Sequence, residues 1–181
     1  SLWLARYHFG LASGEDMVLQ AVRVLAETPA EPIRQRTRDF YESQIRQTIR
    51  PGAMAALKTH RAAGDACVML TSSSNYMAEL VCAQLELDGV LCNRLEVDQR
   101  DFHTGRLVGR ACFGTGKLEH ATAEAARRQV KLENCVFYTD SFSDISVMTA
   151  VQHPVAVNPD PRLKRFARKH GWPIVDWGRP A

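Results

Sequence analysis

The chain has 181 residues, of which 45% are hydrophobic and 24% are charged, and its net charge is +3. This composition excludes a disordered or low-complexity protein, and the length suits one domain or a domain with a small insert. No stretch approaches the roughly 20 apolar residues that cross a bilayer. Arg6 and His8 interrupt the apolar start of the chain too soon for a signal peptide. We therefore expect a cytoplasmic protein that does not bind membranes.

The first fifty residues have the apolar spacing of helices. Residues 16–25 place their apolar side chains on one face, and residues 31–49 do the same. Pro29 ends the first of these helices, and Pro51 ends the second. A further helix follows, for which Gly64 is a suitable C-terminal cap.

From residue 66 onward, strand-like and helix-like segments alternate. Strands are predicted at 67–70, 90–97, 136–138, 154–157 and 173–176, and helices at 76–85, 117–128, 145–151 and 161–170. Such alternation is typical of an α/β protein with a doubly wound parallel sheet and crossover helices. The polar tip at residues 98–101 also predicts a hairpin between 94–97 and 104–108.

The cysteines and the basic residues indicate neither a metal centre nor a nucleic-acid surface. The five cysteines lack a Cys-x-x-Cys spacing, so we interpret them as reduced packing residues. The basic residues of the helix at 161–170 alternate with apolar residues at helical spacing, which is typical of a solvated helix face. We expect no nucleic-acid partner, and the sequence does not indicate an oligomeric state.

Two carboxylates, Asp140 and Asp144, follow the apolar strand at 136–138. The carboxyl end of a strand is where an open α/β sheet binds its ligands. Carboxylates this close repel each other when both are ionised, and a hard cation offsets that repulsion. We predict a Mg²⁺ site here, and the alternative is a turn in which Asp144 only caps the next helix.

Two more polar clusters lie at equivalent ends of other strand-to-helix units. Thr71, Ser72 and Ser73 follow the strand at 67–70, and Lys117 begins the helix at 117–128. Hydroxyls and backbone N–H groups at a helix N-terminus suit a phosphate, and a lysine adds positive charge. Together with Mg²⁺, these groups fit phosphoryl transfer, although the serines have an alternative role as helix caps.

The order of these motifs resembles the haloacid dehalogenase superfamily, in particular its branch that contains phosphoserine phosphatase. The motifs are a strand ending in Thr71, then Gly-x-Gly-Lys at Lys117, then Asp-x-x-x-Asp at Asp140 and Asp144. The resemblance implies that Thr71 binds the transferred phosphoryl group and that Lys117 steadies both that group and the nucleophile. It also implies that Asp140 ligates Mg²⁺, with Asp144 supporting the metal site. Ser143 departs from the pattern, because relatives often carry asparagine there.

The same resemblance implies a domain division and exposes a missing motif. Residues 1–50 resemble a helical cap that closes over the substrate, and residues 51–181 resemble the α/β core. The family's first strand ends in Asp-x-Asp, which supplies the nucleophile, and this chain has no such segment. The segment around Glu86 partly matches this motif, but we interpret it as an ordinary turn. Since the chain starts with Ser1, we expect the nucleophile strand upstream of it, at the centre of the sheet.

We therefore predict a Mg²⁺-dependent phosphomonoesterase that acts on a small phosphorylated metabolite through an aspartyl-phosphate intermediate. The 181 residues alone should be inactive because they lack the nucleophile. The alternatives are a non-catalytic phosphate-binding protein and a response-regulator-like or nucleotide-binding module. Specificity would come from side chains of the cap region, for which the candidates are Arg6, Tyr7, His8, Arg38 and Tyr41.

Overall fold

The computed structural model describes residues 14–179. Three helices come first: α1 (Gly14–Arg23), α2 (Ala30–Phe40) and α3 (Pro51–Ala62). A π-helical turn, Tyr41–Ile45, extends α2, so only part of the predicted helix at 31–49 is α-helical. Pro51 is the first residue of α3, where its missing N–H costs no hydrogen bond. Gly64, just after α3, has a φ of 80°, which glycine adopts without strain.

The rest of the chain confirms the predicted α/β class. The strands are β1 (Val68–Ser74), β2 (Gly89–Asn93), β3 (Leu95–Val97), β4 (His103–Leu107), β5 (Val136–Thr139), β6 (His153–Val157) and β7 (Ile174–Val175). The helices are α4 (Asn75–Gln84), α5 (Thr115–Arg127), α6 (Ile145–Met148) and α7 (Pro161–His170). No helix within residues 14–179 is long and apolar enough to cross a membrane.

The prediction of one strand over residues 90–97 is wrong, because the chain breaks after Asn93 into two strands of different sheets. β2 runs parallel to β1, whereas β3 pairs antiparallel with β4 in the predicted hairpin. Side-chain amides replace ladder bonds at the break. Leu95 N donates to Asn75 Oδ1 at 3.1 Å, and Asn93 Nδ2 donates to Ser72 O at 2.7 Å.

The parallel strands form two separate groups within the described residues. β1 pairs with β2, and β5 pairs with β6, which in turn pairs with β7. No backbone ladder in residues 14–179 joins β1 to β5. Each of these two strands therefore has one side without a strand partner.

Helix α3 connects the two strand groups on one face. His60 Nε2 lies 2.9 Å from the hydroxyl oxygen of Tyr138 in β5, and Arg61 Nη2 donates to Glu86 O at 3.0 Å, next to α4. At the start of α3, Gly52 N donates to Trp177 O at 3.0 Å. The main buried cluster packs α6, α7 and β6 together and contains Met148, Ala156, Leu163 and Ala167.

The hairpin of β3 and β4 packs against the helical segment. His103 N donates to Thr28 O at 2.9 Å, and Ala30 N donates to Asp101 O at 2.8 Å. Arg34 adds two hydrogen bonds of 2.6 Å to the Asp101 carboxylate. The described helical segment before residue 50 thus packs against a hairpin that belongs to the predicted α/β core. The division at residue 50 stays a prediction.

Candidate active site

Lys117 and Asp144 form a buried ion pair. Lys117 Nζ lies 2.7 Å from Asp144 Oδ1, and the two residues are only 6% and 4% exposed. Thr139 Oγ1 donates to Asp144 Oδ2 at 2.7 Å, and Ser143 Oγ donates to Oδ1 at 3.3 Å. A buried charge is costly unless it is paired and hydrogen-bonded, and both oxygens of Asp144 meet this condition. The carboxylate therefore fixes the ammonium group of Lys117 in place.

The glycines before Lys117 are required by space and by backbone conformation. Gly114 has a φ of 52°, and Ser146 Oγ donates to Gly114 O at 3.1 Å. A Cβ atom on Gly116 would lie 2.0 Å from Ala111 O, which is well inside van der Waals contact. The Gly-x-Gly-Lys pattern thus brings the start of α5 against the preceding loop. A lysine in a first helical turn opposes the helix dipole, and the Asp144 charge offsets this cost.

Thr71 and Thr139 make the same local turn on β1 and β5. Thr71 Oγ1 accepts a hydrogen bond from Ser73 N at 3.2 Å, and Thr139 Oγ1 accepts one from Ser141 N at 3.2 Å. The hydroxyl hydrogen of Thr139 goes to Asp144, whereas that of Thr71 has no acceptor in residues 14–179. Thr71 therefore keeps a donor for a ligand.

The serine hydroxyls that follow Thr71 do not cap α4. The N-cap residue is Ser74, and its side chain makes no capping hydrogen bond. Ser72 uses its backbone carbonyl, which accepts the hydrogen bond from Asn93, while the Ser72 and Ser73 hydroxyls make no hydrogen bond within the described part of the chain. The predicted alternative, in which these serines only cap the helix, has no hydrogen bond to support it.

Asp140 lies in a different environment from Asp144. It is exposed, and its backbone carbonyl accepts a hydrogen bond from Asp160 N at 2.8 Å. Its carboxylate makes no hydrogen bond or ion pair with another residue of the described chain. Across residues 14–179, no three side chains of His, Cys, Asp or Glu form a group that could hold a metal ion. Of the two predicted acids, only Asp140 has free carboxylate oxygens.

Cys112 links the surroundings of Thr71 to those of Lys117. The thiol is fully buried, with Sγ 3.6 Å from Leu91 O. Burial raises the pKa of Cys112 to about 11, against the opposing effects of the Lys117 charge and of a hydrogen bond from the Thr71 backbone. Lys117 and Thr71 therefore both influence the pKa of the same buried thiol. The structure thus brings Lys117 and Asp144 into direct contact and places both the Thr71 backbone and the Lys117 charge where they influence Cys112, while Asp140 is exposed.

Two residues at the site were not singled out from the sequence. Thr139 completes the hydrogen bonding of Asp144, and Asn93 joins the two loops around Cys112. The sequence signal for Thr139 was a polar residue directly after the predicted strand at 136–138, whereas Asn93 lay inside the predicted strand at 90–97 and gave no such signal.

The remaining sequence candidates lie elsewhere. Glu86 sits in the turn before β2, at the amino end of that strand, so it is at the opposite edge from the Thr71 turn. Tyr41 is 3% exposed and its hydroxyl donates to Gln84, which is a packing role. Arg38 pairs with Glu31. The three candidates at residues 6–8 lie outside the described residues.

Comparison with known proteins identifies the class. Residues 1–149 match the family model of the haloacid dehalogenase-like hydrolases, so the chain belongs to that family. The predicted family and the predicted fold are both confirmed.

Two of the relatives are phosphatases by name. The chain is 34% identical over 139 residues to a phosphoserine phosphatase of Mycobacterium tuberculosis, an alignment that covers 77% of this chain and 45% of the relative. It is 28% identical over 156 residues to a histidinol-phosphatase of Neisseria meningitidis, which covers 84% of this chain and 70% of that protein. The chain thus spans less than half of the mycobacterial relative.

A solved structure supports the fold over nearly the whole chain. A Bordetella pertussis protein of unknown function superimposes with a TM-score of 0.87 and 25% identity. The superposition covers 97% of this chain and 79% of the Bordetella protein.

Proposed function

We propose that this chain is part of a Mg²⁺-dependent phosphomonoesterase that hydrolyses a small phosphorylated metabolite. The observation that carries the proposal is the buried Lys117–Asp144 pair beside the Thr71 turn. A lysine that is held by a carboxylate and buried from water suits the stabilisation of a phosphoryl group, because charge stabilisation is stronger in a water-excluded site. The phosphatase relatives support the same class.

In this proposal, the phosphoryl group binds at the N-terminus of α4. The free hydroxyl hydrogen of Thr71 and the first N–H groups of α4 donate to its oxygens, and the helix dipole favours the negative charge. Lys117 neutralises another phosphoryl oxygen. Asp144 acts through Lys117, because both of its oxygens already accept hydrogen bonds.

The donor set is compatible with Mg²⁺. This ion usually keeps several waters and takes one or two carboxylates together with phosphate oxygens. Asp140 offers an exposed carboxylate without another partner among the described residues, so it would hold the ion. The bound ion would neutralise charge on the phosphoryl oxygens.

We further propose that the nucleophile is an aspartate on a strand that pairs between β1 and β5. Support comes from the missing ladder between these strands, since unpaired N–H and C=O groups of buried strands are costly. The carboxylate would form a bond to phosphorus while the ester P–O bond breaks, and a second acid would protonate the leaving alcohol. Water would then hydrolyse the acyl phosphate and release inorganic phosphate.

The test is phosphate release by the protein that carries its natural upstream sequence. Small phosphomonoesters such as phosphoserine and histidinol phosphate are the substrates, with and without Mg²⁺. We expect Mg²⁺-dependent turnover that Asp140→Asn abolishes and that Asp39→Asn, a change at an exposed acid on α2, leaves unchanged. Undiminished turnover in Asp140→Asn would refute the metal role.

The non-catalytic alternative has its own signature in the same experiment. A protein that only binds phosphate would bind inorganic phosphate with Mg²⁺ yet release none from any ester, even with the upstream sequence restored. The 181-residue chain is expected to behave in this way because it lacks an attacking carboxylate.

A further inference from the structure

We propose that Asn93 is a positioning residue that sets the spacing between the Thr71 turn and Lys117. This inference rests on the proposed function, since it assigns a role in the same site.

The side-chain amide of Asn93 joins two loops that are distant in sequence. Asn93 is the last residue of β2 and is only 3% exposed. Its Nδ2 donates to Ser72 O at 2.7 Å, and its Oδ1 accepts from Cys112 N at 2.7 Å. One end of the amide therefore holds the turn that follows Thr71, and the other end holds the loop that leads to Lys117.

The loop from Cys112 to Lys117 has little freedom to absorb a displacement. Gly116 N donates to Phe113 O at 2.8 Å, and Lys117 N donates to Gly114 O at 3.2 Å. Gly116 also lies directly against Ala111 O, with no room for a Cβ atom. A shift of the backbone at Cys112 is therefore passed on to Lys117.

Burial makes the two hydrogen bonds hard to replace. Cys112 has no exposed surface, so water does not reach its N–H group easily once the amide is removed. A buried N–H without a partner is costly, and the loop would move to satisfy it. Because displacements of about 1 Å in a catalytic site can reduce turnover about 100-fold, a modest movement of this loop is enough to matter.

The test compares three proteins that carry the natural upstream sequence: wild type, Asn93→Leu and Gln84→Leu. Leucine keeps the branched shape of asparagine and removes both hydrogen bonds. Gln84, at the other end of α4, is the control, because its amide also makes two hydrogen bonds: it accepts one from the Tyr41 hydroxyl and donates one to Arg46 O. Within residues 14–179 it makes none to residues 112–117. Turnover is measured well below the melting temperature of every variant.

We expect kcat of Asn93→Leu to fall about 100-fold, because the phosphoryl-binding groups no longer meet in the right geometry. Its KM should stay within about threefold of wild type, which separates a loss in the transition state from a loss of substrate binding. Gln84→Leu should keep the wild-type kcat. Equal losses of kcat in the two variants would show a general packing effect and overturn the assignment.

A second measurement does not depend on activity. Amide hydrogen exchange in residues 111–117 should be faster in Asn93→Leu than in wild type, and unchanged in Gln84→Leu. Unchanged hydrogen exchange in Asn93→Leu would show that the Asn93 amide does not hold this loop in place, and it would overturn the assignment.

A failure of the proposed function and a failure of the Asn93 role give different results. A wild-type protein that hydrolyses no phosphomonoester contradicts the proposed function and removes the catalytic role of Asn93 with it. An active wild type with a normal Asn93→Leu variant contradicts only the role of Asn93.

Discussion

The buried ion pair of Lys117 and Asp144 is important for stability, and in the proposed function it also holds the lysine that binds the phosphoryl group. Removing one partner leaves the other charge buried without compensation, which costs about 3–5 kcal/mol in folded proteins. Two hydroxyl donors add to the pair, so Asp144 has few alternative arrangements.

We expect Asp144→Asn to lower the free energy of unfolding by about 3 kcal/mol, measured by urea denaturation. Lys117→Met should have a similar effect, and the double variant should lose less than the sum of the two. Glu42→Gln is the control, since it breaks an exposed pair with Arg46 of 2.9 Å and should cost less than about 0.5 kcal/mol. Additive losses at Lys117 and Asp144 would contradict a direct coupling.

Thr71 is expected to matter for turnover and little for folding. Thr71→Val keeps the shape and removes the hydroxyl donor, so kcat should fall about 100-fold, as for loss of one donor to a developing negative charge. The melting temperature should stay close to wild type, because the hydroxyl makes a single hydrogen bond within residues 14–179. Thr122→Val removes an exposed hydroxyl on α5 and should leave kcat unchanged. A fully active Thr71→Val variant would remove Thr71 from the site.

At the scale of elements, the start of α5 depends on a close backbone approach. Gly116→Ala would place a methyl group 2.0 Å from Ala111 O, so the loop and the helix start have to separate. We expect a loss of about 2 kcal/mol in the free energy of unfolding, with turnover reduced through the displacement of Lys117. In the control Gly89→Ala, the nearest atom is the movable guanidinium of Arg128 at 3.2 Å, so the loss should be small. Equal stability of the two variants would contradict the steric account.

Sequence periodicity predicted most of these elements because their signals are local. The helix at 161–170 was predicted with the observed bounds, since Asp160 and Pro161 mark its start and Gly171 its end. The break after Asn93 was not predicted, because apolar residues resume at Leu95, directly after Asn93 and Arg94. What ends β2 is the pair of side-chain amides from Asn75 and Asn93, which compete with ladder bonds and come from distant parts of the fold.

For the candidate site, motif spacing selected Lys117 and Asp144, which the fold brings into contact. It also selected Thr71, whose backbone influences the same Cys112 thiol as the Lys117 charge, and the roles of these residues stay predictions. The sequence did not predict that Asp144 pairs with the lysine while Asp140 stays exposed, because two acids four residues apart look equivalent until their burial is known.

On the scale of the whole molecule, His103 couples stability to pH. It lies in β4 against the helical segment and is 2% exposed, and its Nε2 atom has no hydrogen-bond partner in residues 14–179. The Tyr76 ring lies 5.8 Å away, and Arg34 and Asp101 are the nearby charges. Burial lowers the pKa of His103 below its usual value of 6.5, an effect that the Arg34 charge increases.

The sign of the pH effect follows from this lowered pKa. The unfolded chain binds a proton at His103 more readily than the folded chain does, so stability is complete above about pH 6.5 and falls below it. We expect the melting temperature to drop between pH 7.5 and pH 5, and to drop less in His103→Gln. His153→Gln, at an exposed histidine, should keep the wild-type slope. A His103→Gln variant with the wild-type slope would contradict the account.

Within the described residues, the parallel strands form two groups without a ladder between them, and the proposed position of the nucleophile depends on this arrangement. Helix α3 holds them together from one face, while β1 and β5 share no ladder within the described residues. The Thr71 and Thr139 turns lie on these two strands, so a strand inserted between them would end beside Lys117 and Asp144. The proposed nucleophile position follows from this arrangement.

The most direct test of the central claim is a crystal structure of the protein, with its natural upstream sequence, grown with Mg²⁺ and orthovanadate as a phosphoryl mimic. We predict that vanadate oxygens lie within about 3 Å of Thr71 Oγ1 and Lys117 Nζ, with the metal ion on Asp140. Vanadate bound elsewhere, or Thr71 and Lys117 directed to separate faces of the sheet, would contradict the proposed site.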